Sequence, residues 1–259
     1  MFKQDFQLSG GDKNKGTVYL PNEESKNIPV IIYCHGWGGN RQHYGVTEKL
    51  CEKAILSNIA FVAFDFYGCG ETGGDYNLMT YARWKNNLSD IFSWCAAQPF
   101  ANANKIGCYS LSSGTVAALR FAAEDHRVAF IISVATAISL NIGLHDGGPA
   151  KIFADNCKEL LSGGQKEFFG FKFGSDFYID TISNAPIHTI KNIKCPVLFL
   201  QGKKDNPFRC ADAKMAYQLM AYDGLPVSHI EIDEGDHGLT NVVDEAIEHI
   251  FNWIPPLLF

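Results

Sequence analysis

Three residue types, at three well-separated places in this 259-residue chain, could together carry out acyl transfer. A serine-rich turn, "CYSLSSGTVAAL" (Cys108–Leu119), is followed much later by Asp205 in "LFLQGKKD" and by His237 in "EGDHGL". Acyl transfer needs a nucleophile, a base to take its proton and an acid to hold the base's tautomer. A nucleophile on a sharp strand-to-helix turn also needs small residues two positions to either side, because strand and helix approach closely there. Ser110 is flanked at those positions by Cys108 and Ser112, Ser113 by Leu111 and Thr115, and Ser112 by Ser110 and Gly114. Ser112 alone has two small flanks of which one is glycine, so it is the expected nucleophile. The competing account is that these serines cap the helix that follows.

The elements that must position these residues follow from hydrophobic patterning. "IPVIIYCHG" and "IAFVAFDFYG" are apolar, β-branched and aromatic runs of the kind that form strands buried on both faces, and "NKIGCYS", "VAFIISVATA" and "CPVLFLQG" make three further strands. "SHIEIDEG" makes a last strand. "TEKLCEKAILSN", "MTYARWKNNLSDIFSWCAAQP", "SGTVAALRFAAED" and "VVDEAIEHIFNWI" have helical spacing, and the opening stretches Phe6–Leu8 and Thr17–Leu20 suggest an antiparallel edge hairpin. Strands alternating with helices call for a mostly parallel sheet with helices on both faces. Ligands of such a sheet bind at the carboxyl ends of the strands. The serine turn, "GKKDNPF", "EGDHGL" and "HGWGGN" all follow strands, so Ser112, Asp205, His237 and His35 emerge at one edge.

The chain reads as a single domain, 1–259, with an insertion over 138–194 lying on one end of the sheet. That insertion holds short amphipathic pieces and a dense aromatic set, among them Phe153, Phe168, Phe169, Phe173, Phe177 and Tyr178. These rings either line an apolar cleft or pack the insertion onto the body.

A formal net charge of −6 without a Lys/Arg cluster excludes a nucleic-acid groove and an anionic membrane surface, and fits a neutral or cationic substrate. No apolar run is long enough to span a bilayer and the start lacks a signal-peptide pattern. Eight scattered cysteines without C-x-x-C or metal-ligand spacing read as reduced thiols, so a cytoplasmic protein is expected. "GCGETG" (Gly68–Gly73) formally fits the dinucleotide fingerprint G-x-G-x-x-G, but no helix start follows it, and it reads instead as a turn braced by Asp65. No cofactor and no metal are expected. Asp233 and Asp236, rivals to Asp205, are accounted for by local repulsion or helix capping. His43, His126, His145, His188, His229 and His249 are read as ordinary histidines.

The order Ser–Asp–His, with "HGWGGN", "DFYGCGET", "GKKDNPF" and "DH" in sequence, resembles the α/β-hydrolase fold over almost the whole length. Small esterases of the feruloyl/cinnamoyl-esterase and monoacylglycerol-lipase-like kind are the most similar group. The chain departs from them at the turn, where Ser110 stands in place of the usual glycine. A further resemblance is to the acyl-transferase/thioesterase of bacterial luminescence, in its turn and in a segment like "FGFKFGSDFYID". The resemblance implies a lid at 138–194, catalytic Ser112, Asp205 and His237, and a loop braced by His35. It also implies that the Trp37 and Ser113 backbone N–H groups receive the developing oxyanion. The expected activity is hydrolysis of cinnamoyl-type or short-to-medium acyl esters through an acyl-enzyme on Ser112. The expected partner is a small-molecule ester. The alternatives are an acyl thioesterase or acyltransferase, or a hydrolase-fold binding protein that has lost catalysis.

Overall fold

The apolar runs become the strands of one eight-stranded sheet, and the amphipathic stretches become the helices that cover it. The computed structural model describes residues 1–42, 46–139, 147–254 and 258; His43, His145 and part of the 138–194 segment lie outside them. In chain order the main elements are β1 (Phe2–Gln7), β2 (Lys15–Leu20), β3 (Ile28–Cys34), α1 (Val46–Leu56), β4 (Ala60–Phe64) and α2 (Tyr81–Ala96). Next come β5 (Ala101–Leu111), α3 (Ser113–Glu124), β6 (Ile131–Val134), α4 (Pro149–Leu161), the hairpin strands β7 (Lys166–Phe168) and β8 (Phe171–Phe173), and α5 (Ser175–Ser183). The chain then forms β9 (Val197–Gly202), α6 (Pro207–Tyr222), β10 (Val227–Ile232) and α7 (Val243–Trp253).

The sheet order is β1-β2-β4-β3-β5-β6-β9-β10. β2 runs antiparallel to β1 and to β4, and from β4 through β10 every neighbouring pair is parallel. β3 and β4 are buried along their whole lengths, as strands covered by helices on both faces must be. One face carries α2, α3 and α6 through Trp84, Phe92, Val116 and Met220. The other face carries α1 and α7 through Leu50, Ala54, Ala246 and Ile250.

Two elements differ from the sequence expectation. The strand expected from "VAFIISVATA" shortens to Ile131–Val134, because the chain leaves the sheet at Ala135, which takes φ 52°. Helix α6 has no counterpart in the sequence reading. Its buried positions are Asp212, Ala213, Ala216 and Met220, in which one large apolar residue among small and polar ones draws no apolar stripe. The usable signal is Asn206–Pro207: the Asn206 side chain accepts the Phe208 N–H and Pro207 fills the first helical position.

Between β6 and β9 lie α4, the β7–β8 hairpin, α5 and two short 3-10 turns. A buried ion pair ties this segment to the body. Asp180 of α5 accepts from Arg120 of α3 at 3.1 Å on each oxygen, from the Ala82 N–H at the start of α2 at 2.9 Å and from Asn184 at 3.1 Å. The aromatic residues complete the attachment. Phe173 and Phe177 stack at 3.9 Å and, with Phe168, surround Trp37. Of the rings offered as either cleft or packing, Phe168, Phe173, Phe177 and Tyr178 are buried, and Phe169 stays 72% exposed.

Removing the Asp180 carboxylate leaves Arg120 desolvated and unpaired, a change that costs roughly 3–5 kcal/mol. Asp180→Ala is expected to lower the urea midpoint accordingly and to speed amide exchange across 175–183, with Asp180→Asn falling between it and the wild type. Unchanged exchange in that segment would contradict the clamp.

Candidate active site

Ser112 sits between β5 and α3 at φ 54° and ψ −120°, a conformation that an L-residue with a side chain rarely adopts. The turn is held in place by its surroundings. The Ser112 N–H donates to the Val134 carbonyl at 2.9 Å, and the Ser112 carbonyl accepts from the Thr115 N–H at 3.0 Å and the Thr115 hydroxyl at 2.6 Å. Gly114 is required by close packing, since a Cβ there would lie 2.3 Å from the Cys34 carbonyl oxygen and 2.5 Å from that of His35. Helix α3 therefore starts almost in contact with the end of β3.

The other small flank is answered by Ser110. It is fully buried, and its hydroxyl donates to the Ile132 carbonyl at 3.1 Å, so the added side chain is absorbed by the neighbouring strand. The capping account fails for Ser112, whose side chain makes no cap hydrogen bond. Its hydroxyl has no hydrogen-bond partner among the described residues.

Asp205 and His237 meet at the same sheet edge. His237 Nδ1 lies 2.8 Å from Asp205 Oδ1. Their two loops interlock: the Lys204 N–H donates to the Gly235 carbonyl at 2.9 Å, and a Cβ on Gly202 would lie 2.3 Å from that same oxygen. The Asp205 side chain is 2% exposed and that of His237 48% exposed. Burial would raise the Asp205 carboxyl, but hydrogen bonds from His237 and from Gln201 Nε2 at 3.0 Å hold it below the ordinary carboxylate value. With Nδ1 on Asp205, His237 presents Nε2, which has no hydrogen-bond partner among the described residues. Asp233 instead pairs with Lys203 at 2.7 Å, and Asp236 accepts the Thr240 N–H at 2.7 Å, so an ion pair and a turn, rather than repulsion or a helix cap, account for them.

The loop after β3 lies against the serine, and a Cβ on Gly36 would come within 3.1 Å of the Ser112 Cβ. His35 is fully buried beneath it. Its Nε2 accepts the Phe66 N–H at 3.1 Å, so the proton resides on Nδ1, which donates to the Gly36 carbonyl at 2.8 Å. Because the peptide is trans, drawing the Gly36 carbonyl toward His35 turns the Trp37 N–H the opposite way. Neither that N–H nor that of Ser113, the first residue of α3, has an acceptor among the described residues. The "GCGETG" turn is braced by Asp65, which accepts the Glu71 N–H at 2.9 Å and pairs with Arg41.

Sequence reasoning missed three neighbours of the site: Gln201, Tyr81 and Arg209. Tyr81, at the start of α2, is buried and stacks on Trp37 at 6.2 Å. Arg209, in the first turn of α6, donates from Nη1 to the Ala135 carbonyl at 3.3 Å. Burial holds its guanidinium below the ordinary value, against the opposing pull of Tyr81, Asp212 and Asp205. Among the described residues no group of three or more His, Cys, Asp or Glu side chains gathers to hold a metal, and no helix is long and apolar enough to cross a membrane.

The His35 brace makes stability depend on pH. Burial pushes the His35 imidazole down to about 4, whereas an unfolded chain titrates near 6.5. Between those values the unfolded state takes up a proton that the folded state refuses. The contribution of His35 is therefore fully present above pH 6.5 and is lost, by about 3 kcal/mol, as the pH drops toward 4. His35→Gln, which can still accept and donate, is expected to flatten this slope in urea denaturation series at pH 7, 5.5 and 4.5. Parallel slopes for the two proteins would contradict the assignment.

Comparison with known proteins places the fold. Est1E from Butyrivibrio proteoclasticus superposes with a TM-score of 0.75 at 14% identity over 98% of each chain, and a second Est1E structure has ferulic acid bound. The Pyrococcus horikoshii acylaminoacyl peptidase superposes at 0.76 and 17% identity, over 99% of this chain and 42% of that one. An uncharacterized 31.7 kDa protein of the traX-finO intergenic region of Escherichia coli is 21% identical over 264 residues, spanning 85% of this chain and 89% of its own. The structural matches establish the α/β-hydrolase fold, and at these identities nothing finer. Residues 10–158, more than half of the chain, match the model of the X-Pro dipeptidyl-peptidase (S15) family, and the chain belongs to that family of α/β-hydrolase-fold serine hydrolases.

Proposed function

We propose that this protein cleaves carboxylic esters through an acyl-enzyme on Ser112. One observation carries the reading: a serine held at φ 54° with its hydroxyl unused as a cap, on the sheet edge where His237 is hydrogen-bonded to a buried Asp205 at 2.8 Å. His237 Nε2 takes the Ser112 proton as Oγ bonds to the ester carbonyl carbon. The oxyanion is received by the N–H groups of Trp37 and Ser113, donors each worth roughly 3–4 kcal/mol of barrier. The ester C–O bond then breaks, and His237 returns the proton to the departing alcohol. In the second half His237 takes a proton from water, the resulting hydroxide adds to the acyl carbon, and Ser112 leaves with its proton restored as the acid is released.

Aromatic surfaces near the serine favour an apolar or aromatic substrate part. Phe169 is exposed and lies 5.7 Å from the Trp37 ring, so cinnamoyl-type and short-to-medium acyl esters come first. The likeness to Est1E agrees with that choice. The family match over 10–158 supports a second reading, hydrolysis of a peptide bond with His237 protonating the departing amine. A dipeptidyl-peptidase must receive a protonated amino terminus, and the cation of Arg209 beside the site disfavours one.

Turnover of p-nitrophenyl butyrate and methyl ferulate, set against alanyl-prolyl-p-nitroanilide, separates the two readings. Ester turnover is expected to dominate and to fall by at least about a thousandfold in Ser112→Ala. Wild-type ester rates in that variant would refute the nucleophile, and a preference for the anilide would support the peptidase reading.

A further inference from the structure

Arg209 is a half-buried cation that no carboxylate among the described residues pairs with. A guanidinium offers five N–H donors, and one withdrawn from water is ordinarily matched to a carboxylate. Arg209 makes a single hydrogen bond, to the Ala135 carbonyl at 3.3 Å, and no ion pair among the described residues. The acids closest in its field are committed elsewhere. Asp205 accepts from His237, from Gln201 and from the Asn206 N–H at 2.6 Å. Asp212 accepts the Ile138 N–H at 2.7 Å, the Ser139 N–H at 3.0 Å and the Ser139 hydroxyl at 2.5 Å.

The position of this charge is informative. Ala135 directly follows β6, and the carbonyl just before it, that of Val134, holds the Ser112 N–H at 2.9 Å. β6 adjoins β5 on the side opposite β3, whose loop carries Trp37. Adjacent strands lie only about 4.8 Å apart. The serine is therefore flanked by the Trp37 N–H toward β3 and by the Arg209 guanidinium toward β6, neither with a charged partner among the described residues.

Resting on the assignment of Ser112 as nucleophile, we propose that Arg209 determines specificity by pairing with a carboxylate borne by the substrate, a short chain away from the carbonyl that Ser112 attacks. The planar fork of the guanidinium matches a carboxylate in a bidentate pair, a fit that lysine cannot reproduce. The substrate class this selects is the half-ester of a dicarboxylic acid, an anion, although the chain as a whole carries −6.

The test compares kcat/KM for p-nitrophenyl hydrogen glutarate with that for p-nitrophenyl valerate, which differs by the terminal carboxylate. The wild type is expected to favour the glutarate ester at least tenfold, and Arg209→Gln to reduce that ratio at least tenfold, with Arg209→Lys between them. An unchanged ratio in Arg209→Gln, or no preference in the wild type, overturns the proposal while leaving the Ser112 reading standing. Calorimetric titration with free glutarate gives a readout that needs no turnover. Binding to the wild type that is lost in Arg209→Gln supports the proposal even if no ester is cleaved, and absent or equal binding overturns it. If Arg209→Gln does not fold, the ratio and the glutarate affinity of Arg209→Lys decide, each expected to fall and each, if unchanged, overturning the proposal.

Discussion

The site depends on one backbone constraint, the reversal at Ser112. A residue with a side chain is held at φ 54° because β5 must end and α3 must begin within a single residue. The reversal is possible only because α3 starts against the carbonyls of Cys34 and His35, where Gly114 leaves no room for a Cβ. The energetic cost of such a conformation is of order 1–3 kcal/mol and must be met by the surrounding packing. Much follows from it. The Ser113 N–H is left without an intrahelical acceptor, the Ser112 hydroxyl is freed from capping, and the Gly36 loop comes to rest against the Ser112 Cβ.

Around that turn, charge and exposure are divided between partners. Asp205 is buried and held ionised by its hydrogen bonds, whereas His237 remains accessible above it. Gly202 and Gly235 bring their two loops into contact, so Asp205 and His237 are positioned by backbone packing as well as by their mutual hydrogen bond. His35 plays a comparable part on the other flank. Neutral and sealed from water, it accepts from Phe66 and donates to Gly36, fixing a peptide whose N–H is thereby turned away from the core.

Much of this was legible in the sequence, for identifiable reasons. Continuous apolar runs marked the strands because a parallel sheet buries both faces, and the residues after those strands then had to share an edge. Small flanks singled out Ser112 even without the usual glycine, and the structure shows why Ser110 is tolerated: its hydroxyl finds the Ile132 carbonyl. What escaped lacked an apolar signature. Helix α6 buries Asp212 and alanines, and Arg209 shows its significance only through the acids that others have already occupied. The ring-rich segment between β6 and β9 was ambiguous by composition, and Phe168, Phe173 and Phe177 proved to pack around Trp37. The motif order pointed to esterases, whereas the family match is to a peptidase family, because motifs that build the shared edge do not encode the bond that is cut.

The central claim is that Ser112 is an activated nucleophile, and covalent labelling addresses it most directly. Intact mass after treatment with a fluorophosphonate is expected to show one adduct, mapped by peptide analysis to Ser112, absent in Ser112→Ala and strongly slowed in His237→Ala. Labelling of the folded protein at another serine, or equal labelling of Ser112→Ala, would contradict it.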